Sequence, residues 1–391
     1  MRILQVFNRY KERGGEEKSA QRIYEHASSV CEIEQLWWSS MDWESPEGPS
    51  RFGQLQRLFY NQDSARELRG AILEFKPDAL LCHNLYPVGS PSVYHVAKSL
   101  GIPVLQFVHN FRPFSVGGTL WNGRRVVEES LQGNYWSEIC HGSWQDSKTR
   151  SAVFATVLKG LHASGWLNSV ERWICISDFM KERFIEAGLP SEKVVSLRHS
   201  WDAKAFSEER ADEGYYLFLS RLVSEKGVKT LLEAWKLLSQ RLGDRTPQLK
   251  IGGTGILEDE VREFAKKNSF VEFLGFVDGE KKSRLIANCR AMLAPSIWWE
   301  PLGLVTYEAY ESSKPMIAAS SGGLTETVTE GVTGFLHEAG DANSLLECVL
   351  KLEELAPGER QKLGDRGRAW LLSEASPESW KKSFQDVISE V

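Results

Sequence analysis

Three observations predict two doubly wound α/β domains. Short apolar runs of strand length recur along the whole chain, amphipathic stretches of helical length separate them, and the alternation starts afresh near residue 215. Strands that are apolar on both faces and alternate with helices belong to parallel sheets covered on each side.

Taken in order, Arg2–Phe7 is the first strand, and Ala79–His83, Val104–His109 and Trp173–Ile176 follow in the first half. The second half offers Tyr216–Ser220, Gln248–Ile251, Val271–Leu274, Ala291–Ala294 and Met316–Ala319. Val228–Leu242 and Glu258–Lys267 carry helical periodicity between them. Residues 111–170 interrupt the alternation and hold Trp121, Trp136, Trp144 and Trp166, together with Gly117-Gly118 and Arg124-Arg125. The later part, Ser151–Gly165, reads as a helix. The earlier part reads as a ligand-side loop or as an ornamented surface loop with a local tryptophan cluster. The polar stretch Asp202–Gly214 separates a domain over 1–205 from one over 214–373. The last residues, 374–391, read as a helix that crosses back to the first domain, with Trp380, Phe384 and Val387 on one face.

Composition narrows the class. A chain of 391 residues exceeds one ordinary core and suits two, and 42% hydrophobic with 26% charged residues is a globular balance. No run is long and apolar enough for a membrane helix. The opening Met-Arg-Ile-Leu-Gln-Val-Phe is a strand rather than a secretion signal, so a cytoplasmic location is expected. The six cysteines form no Cys-x-x-Cys pair, which argues against zinc. Residues 1–200 hold 23 basic and 22 acidic side chains, leaving 24 and 31 in the remainder. This excludes a strongly basic nucleic-acid surface and leaves room for weak attraction of the first half to an anionic membrane.

Ligands of such sheets bind beyond the carboxyl ends of the strands, and several strand ends here carry polar or glycine-rich sequence. Glu300-Pro-Leu-Gly-Leu-Val-Thr-Tyr-Glu308 follows a strand and opens a helix. Pro301 suits a first helical turn, Gly303 permits close backbone approach, and the free N–H groups of that turn favour an anion. Glu300 and Glu308, eight residues apart, could accept hydrogen bonds from hydroxyls at two ends of a ligand. The plainer alternative is a capped amphipathic helix. Arg221 and Lys226, five apart after another strand, could bracket a diphosphate, or be solvated surface charges. Gly252-Gly253-Thr254-Gly255 is neither a Walker loop nor a full Gly-x-Gly-x-x-Gly fingerprint. Gly14-Gly15 is a tight turn or a second close-approach point. His109 ends an apolar strand, either as a core histidine or as a polar contact with Asn110 and Arg112 beside it. No Asp-x-Asp occurs, so no metal anchor for a diphosphate is expected, and its charge must be met by Arg221, Lys226 and helix N–H groups.

The ordered set resembles glycosyltransferase family four. It comprises Gly14-Gly15-Glu16, His109-Asn110, Cys175-Ile-Ser-Asp-Phe179, Arg221 with Lys226-Gly227, Gly253-Thr-Gly255, Phe273-Leu-Gly-Phe-Val277, Glu300–Glu308 and Gly331-Val-Thr-Gly-Phe335. The resemblance spans nearly the whole chain. It implies the GT-B architecture, two Rossmann-like domains facing across a cleft, and retaining transfer of a hexose from a UDP- or GDP-sugar to a saccharide or lipid-linked acceptor. Glu300 is then expected at the donor sugar's hydroxyls, with the N–H groups of Leu302, Gly303, Leu304 and Val305 at the sugar and β-phosphate. Glu308 is expected at the ribose, Arg221 and Lys226 at the diphosphate, and Val277 and Gly253 at the nucleotide. Gly15 lets the first domain approach the phosphate, and His109 contacts the sugar near its O6. Asn110 and Arg112 fall on the acceptor side, in a segment similar to a subgroup seen with bacterial surface-polysaccharide genes. No metal and no cofactor are implied, and peripheral membrane association fits a lipid-linked acceptor. Arg198-His-Ser-Trp-Asp202 replaces the family's usual Pro-Asn-Gly-Val-Asp, and Trp298-Trp299 places two aromatics where one is usual. Other readings are a nucleotide-sugar binder without turnover and another enzyme of the same fold, such as an epimerase or a phosphorylase.

Overall fold

The computed structural model describes residues 1–10, 15–204 and 211–391. Gly14 of the Gly14-Gly15 pair and residues 205–210 of the polar interdomain stretch lie outside the described residues. The chain divides into two compact units, each with its own parallel sheet. One comprises Met1–Asn122, Val126–Ser200 and Pro377–Val391, and the other Gly123–Arg125 and Trp201–Ser376.

The first unit contains β1 (Arg2–Arg9), β2 (Glu32–Ser39), β3 (Ala79–Cys82), β4 (Val104–Val108), β5 (Val170–Cys175) and β6 (Val194–Ser196), in the order β2-β1-β3-β4-β5-β6. Its central strands are buried on both faces, as β3 and β4 show at every position. The order reverses between β1 and β3, so the switch point falls there, and this is where such sheets bind ligands. Three strands escaped the sequence reading: β2, β6 and, in the second unit, β12. Each lies at a sheet edge. There β2 keeps Glu32 and Glu34 in solvent and gives no continuous apolar run.

The segment 111–170 is held by a buried carboxylate. Glu138 accepts from the Ser115 hydroxyl at 2.7 Å and from the Val116 and Gly117 amides at 3.1 and 2.8 Å. Its helix runs over Lys148–Ala163, with Ser147 capping the Arg150 amide. The tryptophans do not gather. Trp144 stacks on Phe154 at 4.0 Å, Trp166 lies against Tyr60 and His95, and Trp136 is exposed.

The terminal helix spans Pro377–Ser389 and belongs to the first unit. Its buried face is Trp380, Phe384 and Ile388, so Ile388 takes the place expected for Val387. Spacing of four throughout keeps the stripe against the core, with Trp380 beside His26.

The second unit contains β7 (Tyr215–Leu219), β8 (Gln248–Gly252), β9 (Val271–Gly275), β10 (Ala291–Ala294), β11 (Met316–Ala319) and β12 (Gly334–His337), ordered β12-β11-β10-β7-β8-β9. This is the Rossmann order, with its switch point between β7 and β10. Tyr216, Leu231, Trp235, Leu249, Ile251, Leu293 and Val349 form the centre of its core. The helices Val228–Leu242 and Glu258–Lys267 have the bounds the periodicity predicts. Pro301 lies before the helix Leu304–Glu311 rather than in its first turn, because Gly303 adopts the left-handed conformation at φ 84° and starts the helix there.

Candidate functional site

The switch point of the second unit brings the ends of β7 and β10 together, and with them Lys226 and Glu300. The Lys226 ammonium donates to both Glu300 oxygens, at 2.9 and 2.7 Å. Ser296 Oγ and Trp298 Nε1 each donate to Glu300 Oε2 at 3.0 Å. Burial pushes the Glu300 carboxyl up, but Lys226 and these donors outweigh it and hold it below the ordinary carboxylate range. Oε2 is therefore filled, whereas Oε1 receives Lys226 alone and can accept a ligand hydroxyl. Lys226 lies 5.0 Å from the Trp298 ring centroid. Two of its three donors are used, which leaves one for an anion.

Between Glu300 and the helix Leu304–Glu311 the backbone turns on glycine. A Cβ on Gly303 would stand 2.4 Å from Leu324 Cδ2, and one on Gly322, at φ 59°, would stand 2.2 Å from the Glu300 carbonyl. The Gly323 amide donates to that carbonyl at 2.7 Å. The loop is thus seated on the 321–323 turn with no room for side chains. The amides of Leu302, Gly303, Leu304 and Val305 donate to no partner among the described residues, while Thr306 closes the turn onto the Gly303 carbonyl at 2.9 Å. Four successive unclaimed N–H groups at a helix start are the kind of donors that favour an anion.

The remaining expected donor residues surround this turn more loosely. Glu308 accepts from Lys282 at 2.6 Å through Oε1, which leaves Oε2 open. The Arg221 side chain is 66% exposed and lies 3.8 Å from Glu225 without a hydrogen bond, so its fork remains available. Gly253 donates to the Gly275 carbonyl at 2.8 Å at the end of β8. Val277 lies half-buried beside Gly252, next to the exposed Phe276. Lys282 was not foreseen, since nothing in its own helix distinguishes it from a surface lysine.

At the switch point of the first unit a buried polar row crosses the sheet. The Gln35 amide donates to Gln5 Oε1 at 2.9 Å, and Gln5 Nε2 donates to the Ala20 carbonyl at 2.9 Å. The same nitrogen lies 2.9 Å from His83 Nε2. A carbonyl only accepts, so the Gln5 nitrogen faces it and His83 Nε2 must accept as well. His83 then carries its proton on Nδ1 and gives it to His109 Nε2, at 2.8 Å; His109 Nδ1 in turn faces His199 Nε2 at 3.3 Å. Burial pushes all three histidines down, His109 to about 3 and the other two well below the ordinary range, so the row is neutral. His109 thus stands at the strand end where the sequence reading places it, as one member of this row. Both its ring nitrogens are engaged by histidines. His83 and His199 come from separate strand ends, a proximity that sequence spacing does not encode.

Gly15 opens the helix Gly15–Ala27 and is exposed. Beside it, Glu16 accepts from Tyr10 Oη at 2.9 Å and from Asn110 Nδ2 at 3.1 Å. Burial raises the Glu16 carboxyl to about 7, against the lowering effect of Tyr10, Arg112 and the Asn84 amide. Asn110 Oδ1 accepts the Arg112 amide at 2.9 Å, and the Arg112 guanidinium lies 4.6 Å from the Trp144 centroid. Asn110 and Arg112 therefore do meet, on a wall shared with Glu16. Among the described residues no helix is long and apolar enough to cross a membrane.

Two Rossmann-type sheets, each with polar groups gathered at its switch point, define the GT-B class, and solved structures similar to this chain are GT-B glycosyltransferases. HepE of Anabaena in complex with UDP superposes with a TM-score of 0.70 at 17% identity, covering 100% of both chains. Family models described as "Glycosyltransferase Family 4" and "Glycosyl transferases group 1" match residues 41–202 and 200–370. An uncharacterized glycosyltransferase of Methanocaldococcus jannaschii is 30% identical over 310 residues, 78% of each chain. A GDP-mannose-dependent monoacylated alpha-(1-6)-phosphatidylinositol monomannoside mannosyltransferase of Corynebacterium glutamicum is 34% identical over 176 residues, 43% of this chain and 45% of that one. The chain belongs to the glycosyltransferases of the family-four type.

Proposed function

We propose that the protein transfers a hexose, with retention of anomeric configuration and without a bound metal, from a UDP- or GDP-sugar to a saccharide or lipid-linked acceptor in surface-glycan biosynthesis. The observation that carries the donor site is the run of four unclaimed amides at Leu302–Val305, set beside the Lys226–Glu300 pair at the switch point. UDP in the Anabaena structure and GDP-mannose in the name of the corynebacterial relative support the two bases considered.

In this reading the four amides and the third N–H of Lys226 receive the diphosphate, and Arg221 folds onto it. Glu300 Oε1 accepts from the sugar, and Glu308 Oε2 from the ribose. As the anomeric carbon–oxygen bond breaks, negative charge grows on the departing phosphate, where these fixed donors stabilise it. The acceptor hydroxyl attacks on the face the phosphate leaves, and its proton passes to a phosphate oxygen. Glu300, held ionised by its donors, acts as a hydrogen-bond acceptor rather than as a nucleophile or proton donor. His109, neutral and fixed in one tautomer, acts as a positioning residue of the first unit.

A panel of UDP-, GDP- and ADP-hexoses tests the reading, with nucleoside diphosphate release followed with and without EDTA and the product anomer read by NMR. Release that persists in EDTA and gives the donor's anomeric configuration is expected. An inverted product overturns retention, abolition by EDTA overturns metal independence, and binding without release reduces the protein to a nucleotide-sugar binder.

A further inference from the structure

The second unit holds a second lysine–carboxylate pair, and it is more open than the first. Glu308 lies four residues past Leu304 on the helix Leu304–Glu311. It therefore shares a face with the unclaimed amides and stands about 6 Å further along the axis. That span is comparable to the reach from a nucleotide's phosphate to its ribose hydroxyls. Lys282 approaches the same carboxylate from another element, the helix Gly279–Asn288, which begins two residues after Val277. Its ammonium donates to Glu308 Oε1 at 2.6 Å, and the two side chains are 32% and 25% exposed. Among the described residues no acceptor takes the other two N–H groups of Lys282, and no donor reaches Glu308 Oε2.

A pair left in this state offers an acceptor and a donor side by side. A bare carboxylate only accepts, so it holds two hydroxyls only where both donate to it. Here Oε1 is already taken by the ammonium. A hydroxyl can donate to Oε2, and a neighbouring hydroxyl then meets N–H groups, to which it presents a lone pair. The plainer use of the pair is to tie two helices together. Ion pairs this open to solvent contribute little to stability, so that use leaves the spare donors and the free oxygen without a purpose.

We propose that Lys282 is a specificity-determining residue, and that with Glu308 it makes the site require a ribonucleotide with an intact 2′,3′-diol. One ribose hydroxyl donates to Glu308 Oε2, and its neighbour accepts from Lys282. The two oxygens of a carboxylate are close enough for both hydroxyls of a cis-diol to meet the pair at once. A deoxyribonucleotide leaves either the carboxylate oxygen or the ammonium short of a partner, and hydrogen bonds to charged groups are the costly ones to lose. The inference rests on the proposed donor site, which puts a nucleoside diphosphate on the amide turn and its ribose at Glu308.

Calorimetric titration of the full chain compares UDP and GDP with their 2′-deoxy and 3′-deoxy forms. In the parent, each deoxy form should bind about tenfold more weakly than its ribonucleotide. Lys282→Met keeps the length of the side chain and removes its donors. It weakens every nucleotide, because Glu308 is left bare near the diphosphate, so the ratio between forms is the quantity that reports. One deoxy form should then bind within about twofold of the ribonucleotide, while the other keeps its deficit. Lys282→Arg, which restores a charged donor, should recover the lost discrimination. A role confined to tying the helices together moves the melting temperature and leaves the ratios alone. A parent that binds both deoxy forms as tightly as the ribonucleotide overturns the inference, as do ratios unchanged in Lys282→Met. Loss of both deficits in that variant overturns it too, since Glu308 then takes no hydroxyl of its own. Failure of the parent to bind either UDP or GDP sinks the donor site itself, whereas binding without discrimination sinks only the role of Lys282.

Discussion

Lys226 and Glu300 form a nearly buried ion pair whose side chains are 17% and 12% exposed. Lys226→Met keeps the length of the side chain but strands an ionised carboxylate that retains only Ser296 and Trp298 as donors. Breaking a fully buried pair costs about 3–5 kcal/mol. The residual exposure here brings the expected loss to about 2–3 kcal/mol. Glu300→Gln strands an ammonium that still faces the Trp298 ring, at about 1–2 kcal/mol. The double variant has no charge to strand, so it should be more stable than the sum of the two losses by about 2 kcal/mol. Urea unfolding of all four proteins measures this coupling. Additivity to within about 0.5 kcal/mol would refute the pairing. The same set separates two roles for Glu300. If the carboxylate neutralises Lys226, Glu300→Gln frees a full positive charge and tightens binding of the bare nucleoside diphosphate by about tenfold. Sugar turnover should nevertheless fall, because Oε1 is lost as an acceptor. Weaker nucleoside diphosphate binding in Glu300→Gln contradicts the counter-ion role.

The remaining expectations concern backbone fit and pH. Gly322→Ala and Gly331→Ala share a left-handed conformation, at φ 59° and 69°, but only the first meets an obstacle, the Glu300 carbonyl 2.2 Å away. Gly331→Ala should cost about 1–2 kcal/mol for conformation alone, and Gly322→Ala should cost clearly more and also weaken nucleotide binding. Equal melting temperatures for the two variants count against the seated loop. Glu16 titrates near 7 in the fold, against 4.5 for a free carboxyl. Its protonated form is favoured by folding, so its contribution is intact below pH 4.5 and is lost as pH rises through 7. Glu16→Gln should therefore match the parent near pH 4 and exceed it by about 3 kcal/mol at pH 8; a pH-independent difference in unfolding free energy shows that the carboxyl is not held in this way.

Much of the fold was legible because central strands carry their signal on both faces. Ala291–Ala294 and Met316–Ala319 are buried at every position and have the bounds the sequence predicts. Three of the four edge strands were not legible: β2 is half-solvated, and β6 and β12 have three and four residues, so they resemble connecting loops, whereas the edge strand β9 was read nearly whole as Val271–Leu274. The helix Leu304–Glu311 shows a subtler limit. Proline at a helix start is a good general signal, yet Gly303 two residues later decides where this helix begins, because its conformation is imposed by Leu324 and the 321–323 turn. Local propensity yields here to a contact made across twenty residues of sequence.

The site divides along the same line. Glu300, Glu308 and the glycines between them are visible as a contiguous pattern, but their electrostatics are not. Each carboxylate is matched by a lysine from another element, Lys226 for Glu300 and Lys282 for Glu308. Two bare carboxylates would repel a diphosphate, and the sequence answers this only by letting each accept from a ligand hydroxyl. The two ion pairs remove the repulsion by making both ends of the turn neutral, so that the four backbone amides and Arg221 set the sign of the field at its centre. The acidity of the second half of the chain is thus compatible with an anion site, because the local arrangement of N–H groups, rather than net charge, governs what the switch point attracts.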